Sequence, residues 1–581
     1  MCKLNSVMPE AVSRITSERV DDLPVIVHWL LQRNLPALID QHLPRPHGNR
    51  QGLSYGQLSV LLLTYIVSQA DHRLCAVEPW VRQHHKTLEW TTGWQIGEKD
   101  ASDDRLADLI EVIGTHSESR ERIESCLGQQ LIRAYELPTT VARCDTSSFS
   151  VYHHLEEQEQ DSSLLRYGHS KDHRPDLRQY RQLLGTLDPA GIPLVSSTLA
   201  GNGVDDPLYV PTWHKLVSVI GHQEFVYIAD CKAASQSNRA QIDAAGGTYC
   251  FPLPETGHNP TVLKTWLLHP ASQLQEIRLP GQSVEEPAIG VGFEMELGQL
   301  WQDPDTQQHY RWSERYLVVR SHALQQRQLQ GLHQRLHRAE QVLAKLAARP
   351  SRDCCELINQ VQTTLKRHRV SDFFTFEVQR QMITRYRGRG RPSAKDTTRV
   401  IHQEQFTVQF QRQEQAINQA EVLAGWRIYV TNAPIERLPL PTAVAYYREQ
   451  WQLERGFHRF KRGNLPALPI YLQSQQRIIG LMFLLTIALR LFTLMEFVVF
   501  RNLQGQPQGL RGLYQGNPKR ATRRPTAERL LAAFCDITLY HYRDGTFDIT
   551  PLNDLHKQIL SLMAVPESVY DLTKISTRLT N

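Results

Sequence analysis

The N-terminal part of the chain places apolar side chains at the spacing of amphipathic helices. Apolar residues recur every three to four positions in Leu23–Leu43 and in Ser54–Ser68, which is the period of a helix with one buried face. Ser54 stands at the position of a helix N-cap. The same pattern returns near Ser102–Ile113 and Ser119–Tyr135. This part of the chain is therefore predicted to be helical.

Two interpretations of these helices remain open. The turn formed by residues 49–52 (Asn-Arg-Gln-Gly) joins two of them, and short helices joined by tight turns can form a helix-turn-helix that binds DNA. Most such clusters are packed helices without a nucleic-acid partner. The pattern by itself favours neither interpretation.

From about Thr139 the apolar spacing changes to that of β-strands. The strand-like segments are Thr140–Ser150, Gln182–Leu187, Pro193–Leu199, Glu224–Ala229 and Thr248–Leu253. The turn Asp188–Gly191 separates the second from the third, and the helical stretch Tyr209–Ile220 precedes the fourth. Three consecutive strands, a helix and a further strand are the order of a ribonuclease-H-like core, so an α/β fold with a mixed sheet is predicted.

A different pattern interrupts this core after about residue 260. Strand-like runs at Tyr316–Arg320, Gln405–Phe410 and Trp426–Thr431 accompany a long polar helix near Ala323–Ala348. Helical spacing resumes at about Pro441. The predicted organisation is a helical N-terminal domain (1–135), a first part of the core (136–260), a β-rich and helical insertion (261–440), a second part of the core (441–500) and a basic C-terminal segment (501–581).

The most apolar stretch, Ile478–Phe500, is interrupted by Arg490 and Glu496. Its uninterrupted part, Ile478–Leu489, is too short to cross a bilayer, which takes about 20 residues. A buried core helix is predicted here, with no membrane partner.

The composition is that of a globular chain with a mild basic excess. Of 581 residues, 65 are Lys or Arg and 60 are Asp or Glu, which gives a net charge of +5. This excess permits binding to nucleic acid without arguing for it. The nine cysteines form no Cys-x-x-Cys pair, and no secretory leader precedes them. We therefore expect a reduced, cytoplasmic location, with association to the nucleoid when DNA is bound.

Two aspartates stand where predicted strands end. Asp145 follows Val141–Cys144, and Asp230 follows Phe225–Ala229. A carboxylate at the tip of a buried strand is costly unless it is solvated, paired or bound to a cation. Such carboxylates on neighbouring strands can converge on Mg²⁺, which prefers oxygen ligands. An aspartate that merely ends a strand in a turn is the alternative at each position.

A third carboxylate lies on a predicted helix with three faces, Tyr446–Arg462. At about 100° per residue, the core face carries Tyr446, Leu453, Phe457 and Phe460, the second face carries Tyr447, Gln450, Glu454 and Lys461, and the third carries Arg448, Arg455, Arg459 and Arg462. Glu454 is thus predicted beside the core, with the arginines turned towards phosphates. Gly456 is unfavourable in mid-helix and indicates close approach by another element. An amphipathic surface helix with Glu and Arg pairs is the alternative.

The face with Tyr447, Glu454 and Lys461 resembles the Tyr-Arg-Glu-Lys signature of DDE transposases of insertion sequences with a β-rich insertion before the glutamate. The spacing matches, but Gln450 stands at the arginine position, with Arg448 nearby as a substitute. Four further segments are similar to one group of long transposases in that family. They are Gly168–Leu177, Tyr227–Asp230, Trp426–Asn432 and Gly512–Pro518. The resemblance spans nearly the whole chain.

This resemblance implies an enzyme that cuts and joins DNA by in-line displacement. Asp145, Asp230 and Glu454 are expected to hold two Mg²⁺ or Mn²⁺ ions, which activate a water or a 3′-hydroxyl and stabilise the leaving oxygen. Lys461 and Tyr447 are expected to position the DNA backbone. The expected partners are terminal inverted repeats and target DNA, bound by a homodimer.

Basic residues elsewhere fit a DNA substrate. Residues 366–391 carry eight Lys and Arg, and Arg389 and Arg391 near their end resemble the minor-groove contacts of an AT-hook. A solvated basic loop is the alternative. Lys171 and Arg174, within Gly168–Leu177, are also assigned to DNA. A C-terminal cluster, opposed only by Glu528, is a further candidate for phosphate contacts: Lys519, Arg520, Arg523, Arg524 and Arg529.

Two other residue types have a functional and a plain interpretation. Trp301 and Trp312 can stack on an unpaired base, but surface or core packing is the commoner use. His153, His154, His169 and His173 fit no zinc-binding spacing with cysteine. They are interpreted as polar loop residues, with His169 or His173 as a DNA contact in the alternative.

Two rival functions remain. A transposase-derived protein that binds DNA without catalysis would tolerate Gln450, although all three carboxylates are present. A metal-dependent nuclease of the same fold would cut without joining. A strand-transfer assay separates the three functions.

Overall fold

The computed structural model describes residues 16–46, 48, 50–152, 164–268, 273–386 and 400–572. The chain divides into two compact units. The first contains Met1–Phe251, Gln299–Trp312 and Tyr446–Asn581, and the second contains Pro252–Gly298 and Ser313–Ala445. The helices of residues 1–135 thus share a unit with both predicted parts of the core.

The elements of the described residues are as follows. The strands are β1 (Thr16–Arg19), β2 (Val141–Val151), β3 (Arg166–Tyr167), β4 (Arg178–Leu187), β5 (Ile192–Ala200), β6 (Val226–Ile228), β7 (Thr248–Pro252), β8 (Gln275–Ile277), β9 (Gly290–Gln302), β10 (His309–Ser321), β11 (Phe374–Tyr386), β12 (Val400–Arg412), β13 (Trp426–Thr431), β14 (Thr538–His541) and β15 (Phe547–Ile549). The helices are α1 (Leu23–Leu31), α2 (Leu35–His42), α3 (Tyr55–Gln69), α4 (Leu74–Gln83), α5 (His85–Thr92), α6 (Asp103–Thr115), α7 (Ser117–Tyr135), α8 (Tyr209–Ile220), α9 (Gln236–Ala244), α10 (Asn259–Leu268), α11 (His322–Ala347), α12 (Cys354–His368), α13 (Glu414–Leu423), α14 (Leu440–Arg448), α15 (Trp451–Arg462), α16 (Gln475–Leu503), α17 (Ala527–Ala532) and α18 (Asp554–Leu562).

The first unit is built on a mixed sheet centred on β2. The strand order is β5-β4-β2-β6-β7, with the short β3 also pairing β4. Strands β2, β6 and β7 run parallel, whereas β4 runs antiparallel to both β2 and β5. The five strands predicted between Thr140 and Leu253 are all present, and the fold is mixed α/β, as predicted.

Helices lie on both faces of this sheet. Adjacent residues of a strand point to opposite faces. Leu184 of β4 lies against Gly456 of α15, and its neighbour Gly185 lies against Leu216 of α8. Hence α15 and α8 lie on opposite faces, and the centre of the sheet is buried on both sides.

The N-terminal helices follow their local signals. Ser54 caps α3 and forms a capping box with Gln57, so the predicted N-cap is confirmed. The predicted run Leu23–Leu43 is two helices, because Asn34 takes a left-handed φ of 52° between them. The described part of this segment also contains strand β1, which pairs with β14 of the C-terminal segment. Such a strand has no local signal, because its partner is distant in the sequence.

The most apolar segment forms the single helix α16. By length and composition alone it would pass as a membrane span, but 94% of its apolar window is buried inside the protein. Its Gly480 approaches the carbonyl of Ile110 in α6, so the two helices cross backbone to backbone. Arg490 donates to the carbonyl of Pro193 at 2.7 Å. The predicted core helix is confirmed, and its interrupting arginine has an internal partner.

The second unit combines a sheet with a helical pair. The sheet order is β13-β10-β9-β8, and β11 pairs with β12 as a separate antiparallel ribbon. Helices α11 and α12 pack with this ribbon around a core that includes Leu336, Val361 and Val408. The long polar helix predicted near Ala323–Ala348 is α11. Helix α12 was not predicted, although Leu357, Val361 and Leu365 repeat every four residues along it.

Candidate active site

The register of two parallel strands brings the two aspartates to neighbouring positions. Val141, Ala142 and Arg143 of β2 pair with Val226, Tyr227 and Ile228 of β6. Extended by two residues, the same register sets Asp145 opposite Asp230. Neighbouring strands lie about 4.8 Å apart, so the two carboxylates lie close together at this edge of β6.

One part of the strand-end prediction was wrong. Asp230 does follow its strand, but Asp145 lies within β2, which continues to Val151 by pairing with β4. What ends at this point is the pairing of β2 with β6. The sequence pattern could not separate the end of a strand from the end of one of its two ladders.

Each aspartate uses one carboxylate oxygen for internal hydrogen bonds. Oδ1 of Asp145 accepts from the backbone N–H of Thr146 at 2.7 Å and from Nζ of Lys171 at 3.4 Å. Oδ1 of Asp230 accepts from the hydroxyl of Tyr209 and from the N–H of Lys232 at 3.1 Å. Among the described residues, neither Oδ2 has a hydrogen-bond donor. In each carboxylate, hydrogen bonds hold Oδ1, whereas Oδ2 accepts none from the described residues.

The pKa of Asp145 reflects this crowding. Burial, together with the charge of Asp230, raises the pKa of Asp145 to about 6, although the ammonium of Lys171 acts in the opposite direction. Burial and the charge of Asp230 also raise the pKa of Tyr209, so its hydroxyl remains a hydrogen-bond donor. Two carboxylates held close together with little solvent are a place where a divalent cation relieves repulsion.

A group of three charged residues, Asp205, Lys232 and Arg181, was missed by the sequence analysis. Asp205 is buried, and its carboxylate binds Nζ of Lys232 at 2.6 Å and the guanidinium of Arg181. Burial acts to raise the pKa of Asp205, but the hydrogen bond and charge of Lys232, together with the charge of Lys171, lower it below its ordinary value. Asp205 lies in a loop between β5 and α8, where no local pattern separates it from a solvated aspartate.

Glu454 lies on a helix that is shorter than predicted. The predicted single helix Tyr446–Arg462 is two, α14 and α15, because residues 449 and 450 form a turn. The N–H groups of Glu449 and Gln450 donate to the carbonyls of Tyr446 and Tyr447, and these three-residue bonds tighten the backbone at this point. Tyr447 is therefore on α14, whereas Glu454 is on α15.

Helix α15 runs alongside β2, on the face of Asp145. A Cβ on Gly456 would lie 3.1 Å from Cδ2 of Leu489 and 3.7 Å from Cδ1 of Leu184, and Leu184 is the cross-strand partner of Asp145. The predicted close approach at Gly456 is thus confirmed. Phe460 further along α15 lies 6.5 Å from Phe149, ring centre to ring centre. The middle of α15, at Gly456, is therefore level with Asp145, and Gln452 at its start lies against Gly191 of the β4–β5 turn.

The three carboxylates do not form a closed group. Glu454 is exposed in the first turn of α15, not sheltered beside the core as predicted. Within the part of the chain that the structure describes, no three His, Cys, Asp or Glu side chains are close enough together to hold a metal ion. The structure brings Asp145 and Asp230 together and places Glu454 on the neighbouring helix.

The predicted arginine face of α15 is largely an internal ion-pair network. Arg459 is only 3% exposed, and its guanidinium donates to Glu528 at 2.7 Å and to Glu496. Arg455 also pairs with Glu496. The assignment of Arg459 to a phosphate-facing surface is corrected, because the side chain is buried against α16 and α17. Arg448 and Arg462 are exposed and remain candidates for DNA contacts.

The Gly168–Leu177 segment links the two halves of the site. Lys171 bonds Asp145, and the next residue, Asp172, accepts from Nζ of Lys461 at 2.9 Å. Lys461 also lies 5.3 Å from the ring centre of Phe149. Arg174 pairs with Asp176 at 2.7 Å. The segment therefore connects β2 to α15 through two lysines.

The remaining predicted residues have mixed positions. Trp312 is buried and donates to the hydroxyl of Tyr249 at 3.0 Å, which confirms the packing interpretation. Trp301 lies 5.4 Å from Tyr310, ring centre to ring centre. His169 and His173 are exposed. Outside the described residues lie Arg389, Arg391, His153 and His154.

In the C-terminal basic cluster, the one opposing acid, Glu528, is committed to Arg459. Arg520 and Arg529 lie 4.1 and 4.2 Å from the ring centre of Tyr514. Tyr514 thus belongs to the cluster and holds two of its guanidinium groups. Phosphate binding by these arginines stays a prediction.

Comparison with known proteins adds little. No protein-family model matches the chain, and no curated protein matches it. Among solved structures, the chain is similar to one titled "Cryo-EM structure of piggyBac transposase synaptic complex with hairpin DNA (SNHP)", with a TM-score of 0.35 and 11% identity, covering 96% of this chain and 89% of that chain. A likeness at this level does not establish a shared fold.

Proposed function

We propose that this chain is a DNA transposase of the DDE type with a ribonuclease-H-like core. The observation that carries the proposal is the register of β2 and β6, which sets Asp145 opposite Asp230 with one oxygen of each open. The sheet order β5-β4-β2-β6-β7, antiparallel on one side of β2 and parallel on the other, is the order of that fold. The Glu454 and Lys461 positions on α15 match the signature.

The aspartate pair fits a hard divalent cation. Its donors are carboxylate oxygens, and their close approach in a largely buried place favours a positive partner. Glu454 is the proposed third ligand, because it stands two residues before Gly456, which lies beside the cross-strand partner of Asp145, and because its side chain is exposed. Mg²⁺ or Mn²⁺, when bound, supplies Lewis acidity and a nucleophile at neutral pH.

The protein's own residues bind and orient the DNA. Lys171, Lys461, Arg448 and Arg462 supply cations around the carboxylates for a phosphate backbone. Lys171 lies 3.4 Å from Asp145 and balances part of the carboxylate charge. Strand cleavage and strand joining then use the same carboxylates, with water or a 3′-hydroxyl as nucleophile.

A strand-transfer assay with the full chain tests the proposal. The substrate is a duplex made from the inverted repeats that flank the gene, incubated with a supercoiled target and Mg²⁺. Asp145→Asn and Asp230→Asn should abolish cleavage and joining while leaving duplex binding within about twofold, and EDTA should stop both reactions. The control Asp176→Asn removes an exposed carboxylate of the neighbouring loop and should retain activity.

Other outcomes select the rival functions. Cleavage without joining would indicate a nuclease. Binding to the repeats with no cleavage by the unaltered chain would indicate a non-catalytic DNA-binding protein. Full activity in EDTA, or in both Asn variants, would reject the carboxylate mechanism.

A further inference from the structure

The buried tyrosine at the start of α8 contacts one of the two aspartates of the candidate site. Tyr209 has no exposed surface, and its hydroxyl donates to Oδ1 of Asp230. It lies 21 residues before Asp230 and on a different element, so no sequence motif connects the two. A buried hydroxyl needs a partner, and here the partner is a carboxylate proposed to bind metal.

The contact fixes which oxygen of Asp230 is available. The hydroxyl of Tyr209 and the N–H of Lys232 both bond Oδ1, one from α8 and one from the backbone after β6. Two donors on one oxygen restrict rotation of the carboxylate group. Oδ2, which has no donor among the described residues, is left as the oxygen that can bind a cation.

Tyr209 is itself held in place. Its backbone carbonyl accepts from the hydroxyl of Tyr227 on β6 at 3.2 Å. Just before it in the chain, the carbonyl of Asp206 accepts from the side-chain amide of Asn238 at 3.1 Å. These two hydrogen bonds fix the backbone at Tyr209 and just before it. Such a fixed position is expected of a residue that orients a metal ligand rather than one that only fills space.

From this geometry we infer that Tyr209 is a positioning residue for metal binding by Asp230. The inference rests on the proposed function and adds a residue that the signature does not contain. Ligating carboxylates are commonly held by hydrogen bonds from residues behind them, and loss of such a partner weakens metal affinity by about 10- to 100-fold. Tyr209 acts through Asp230 and does not touch DNA.

The experiment is a Mn²⁺ titration of the full chain without DNA, in which free Mn²⁺ is measured by electron paramagnetic resonance. Tyr209→Phe should weaken Mn²⁺ affinity about tenfold or more, with duplex binding in EDTA unchanged. The matched control is Tyr180→Phe, because Tyr180 is also buried in this unit but its hydroxyl lies 3.3 Å from the sulfur of Met482. Its affinity should stay within twofold of the original.

A second replacement guards against misfolding. If Tyr209→Phe unfolds, 4-fluorophenylalanine at position 209 fills the space of the hydroxyl but donates no hydrogen, and the same loss of affinity is expected. If the folded 209 variant keeps its Mn²⁺ affinity while Asp230→Asn loses it, the inference about Tyr209 is overturned. The proposed function then stands. Unaltered affinity in Asp145→Asn and Asp230→Asn overturns the proposed metal site and the inference together.

Discussion

Nζ of Lys461 lies 2.9 Å from Oδ1 of Asp172, so this lysine is paired with a carboxylate of the same chain. The Lys461 side chain is only 17% exposed and that of Asp172 is 36% exposed. A phosphate that binds Lys461 must therefore compete with Asp172. The pair gives a direct test of whether this lysine contacts DNA.

Asp172→Asn should strengthen duplex binding several-fold at low salt, because it frees Lys461, and Lys461→Ala should weaken it and reduce the salt slope by about one. The matched control is Asp176→Asn, which makes the same charge change in the same loop but releases Arg174 instead. Affinities are measured by fluorescence anisotropy over a salt series. A gain by Asp172→Asn that persists with Lys461→Ala would contradict the prediction, whereas a gain in the control would assign Arg174 to DNA as well.

The burial of Arg459 separates stability from DNA binding on α15. Arg459→Ala removes the cation that pairs with Glu528 and Glu496, and removal of one member of a buried ion pair costs about 3 kcal/mol or more. Arg462→Ala, on the same helix but exposed, should leave stability nearly unchanged and lower duplex affinity. Denaturation midpoints and anisotropy measure the two effects. An Arg459→Ala variant of normal stability that only loses DNA affinity would restore the original phosphate-facing assignment.

The carboxylate of Asp22 should make stability fall as pH rises. Burial raises its pKa from an ordinary 3.8 to about 7, although the hydroxyl of Ser68 opposes the shift by donating at 2.8 Å. In the folded chain Asp22 binds a proton that the unfolded chain has released, so its destabilising effect appears between pH 4 and 7 and is complete above pH 7.

Asp22→Asn removes this ionisation and keeps an oxygen for Ser68. The variant should therefore be more stable than the original chain at pH 8 and no more stable at pH 4. Because other groups also titrate, the comparison is the difference in denaturation midpoint between the two proteins at each pH. A difference that does not grow with pH would show that Asp22 ionises normally in the fold.

The crossing of α6 and α16 should not tolerate a methyl group. A Cβ on Gly480 would lie 1.9 Å from the carbonyl oxygen of Ile110, and backbone at that distance must move. Gly480→Ala should destabilise the first unit by several kcal/mol, on the order of other overpacking changes. The control Gly331→Ala, in α11 with no atom within 4 Å of the new Cβ, should stabilise its helix by about 1 kcal/mol. Equal melting temperatures for the two variants would contradict the close crossing.

This crossing also changes how the N-terminal helices can be studied. A fragment of residues 1–135 would expose the surface of α6 that packs on α16. Its DNA preference is therefore better measured by substitutions in the full chain than with the isolated fragment. Whether these helices recognise the terminal repeats stays a prediction.

Much of the local structure was predictable from the sequence. Helix α8 and strand β13 have their predicted bounds, Ser54 caps α3, and the buried residues Leu453, Phe457 and Phe460 of α15 follow the predicted stripe. These features depend on the spacing of apolar residues and on side chains that hydrogen-bond to the backbone of their sequence neighbours. Both can be recognised in short stretches of sequence.

Tertiary structure decided which of the polar residues work together. The register of β2 and β6 set Asp145 beside Asp230, Glu496 and Glu528 turned Arg459 inwards, and Tyr209 came to Asp230 from another element. Each partner lies tens of residues or more away along the chain, and a charge pattern on one helix cannot tell solvent from a carboxylate on the next. The same type of charged side chain can belong to a candidate metal site, join an internal ion pair or face solvent. Packing decides between these outcomes, because it fixes what each side chain faces.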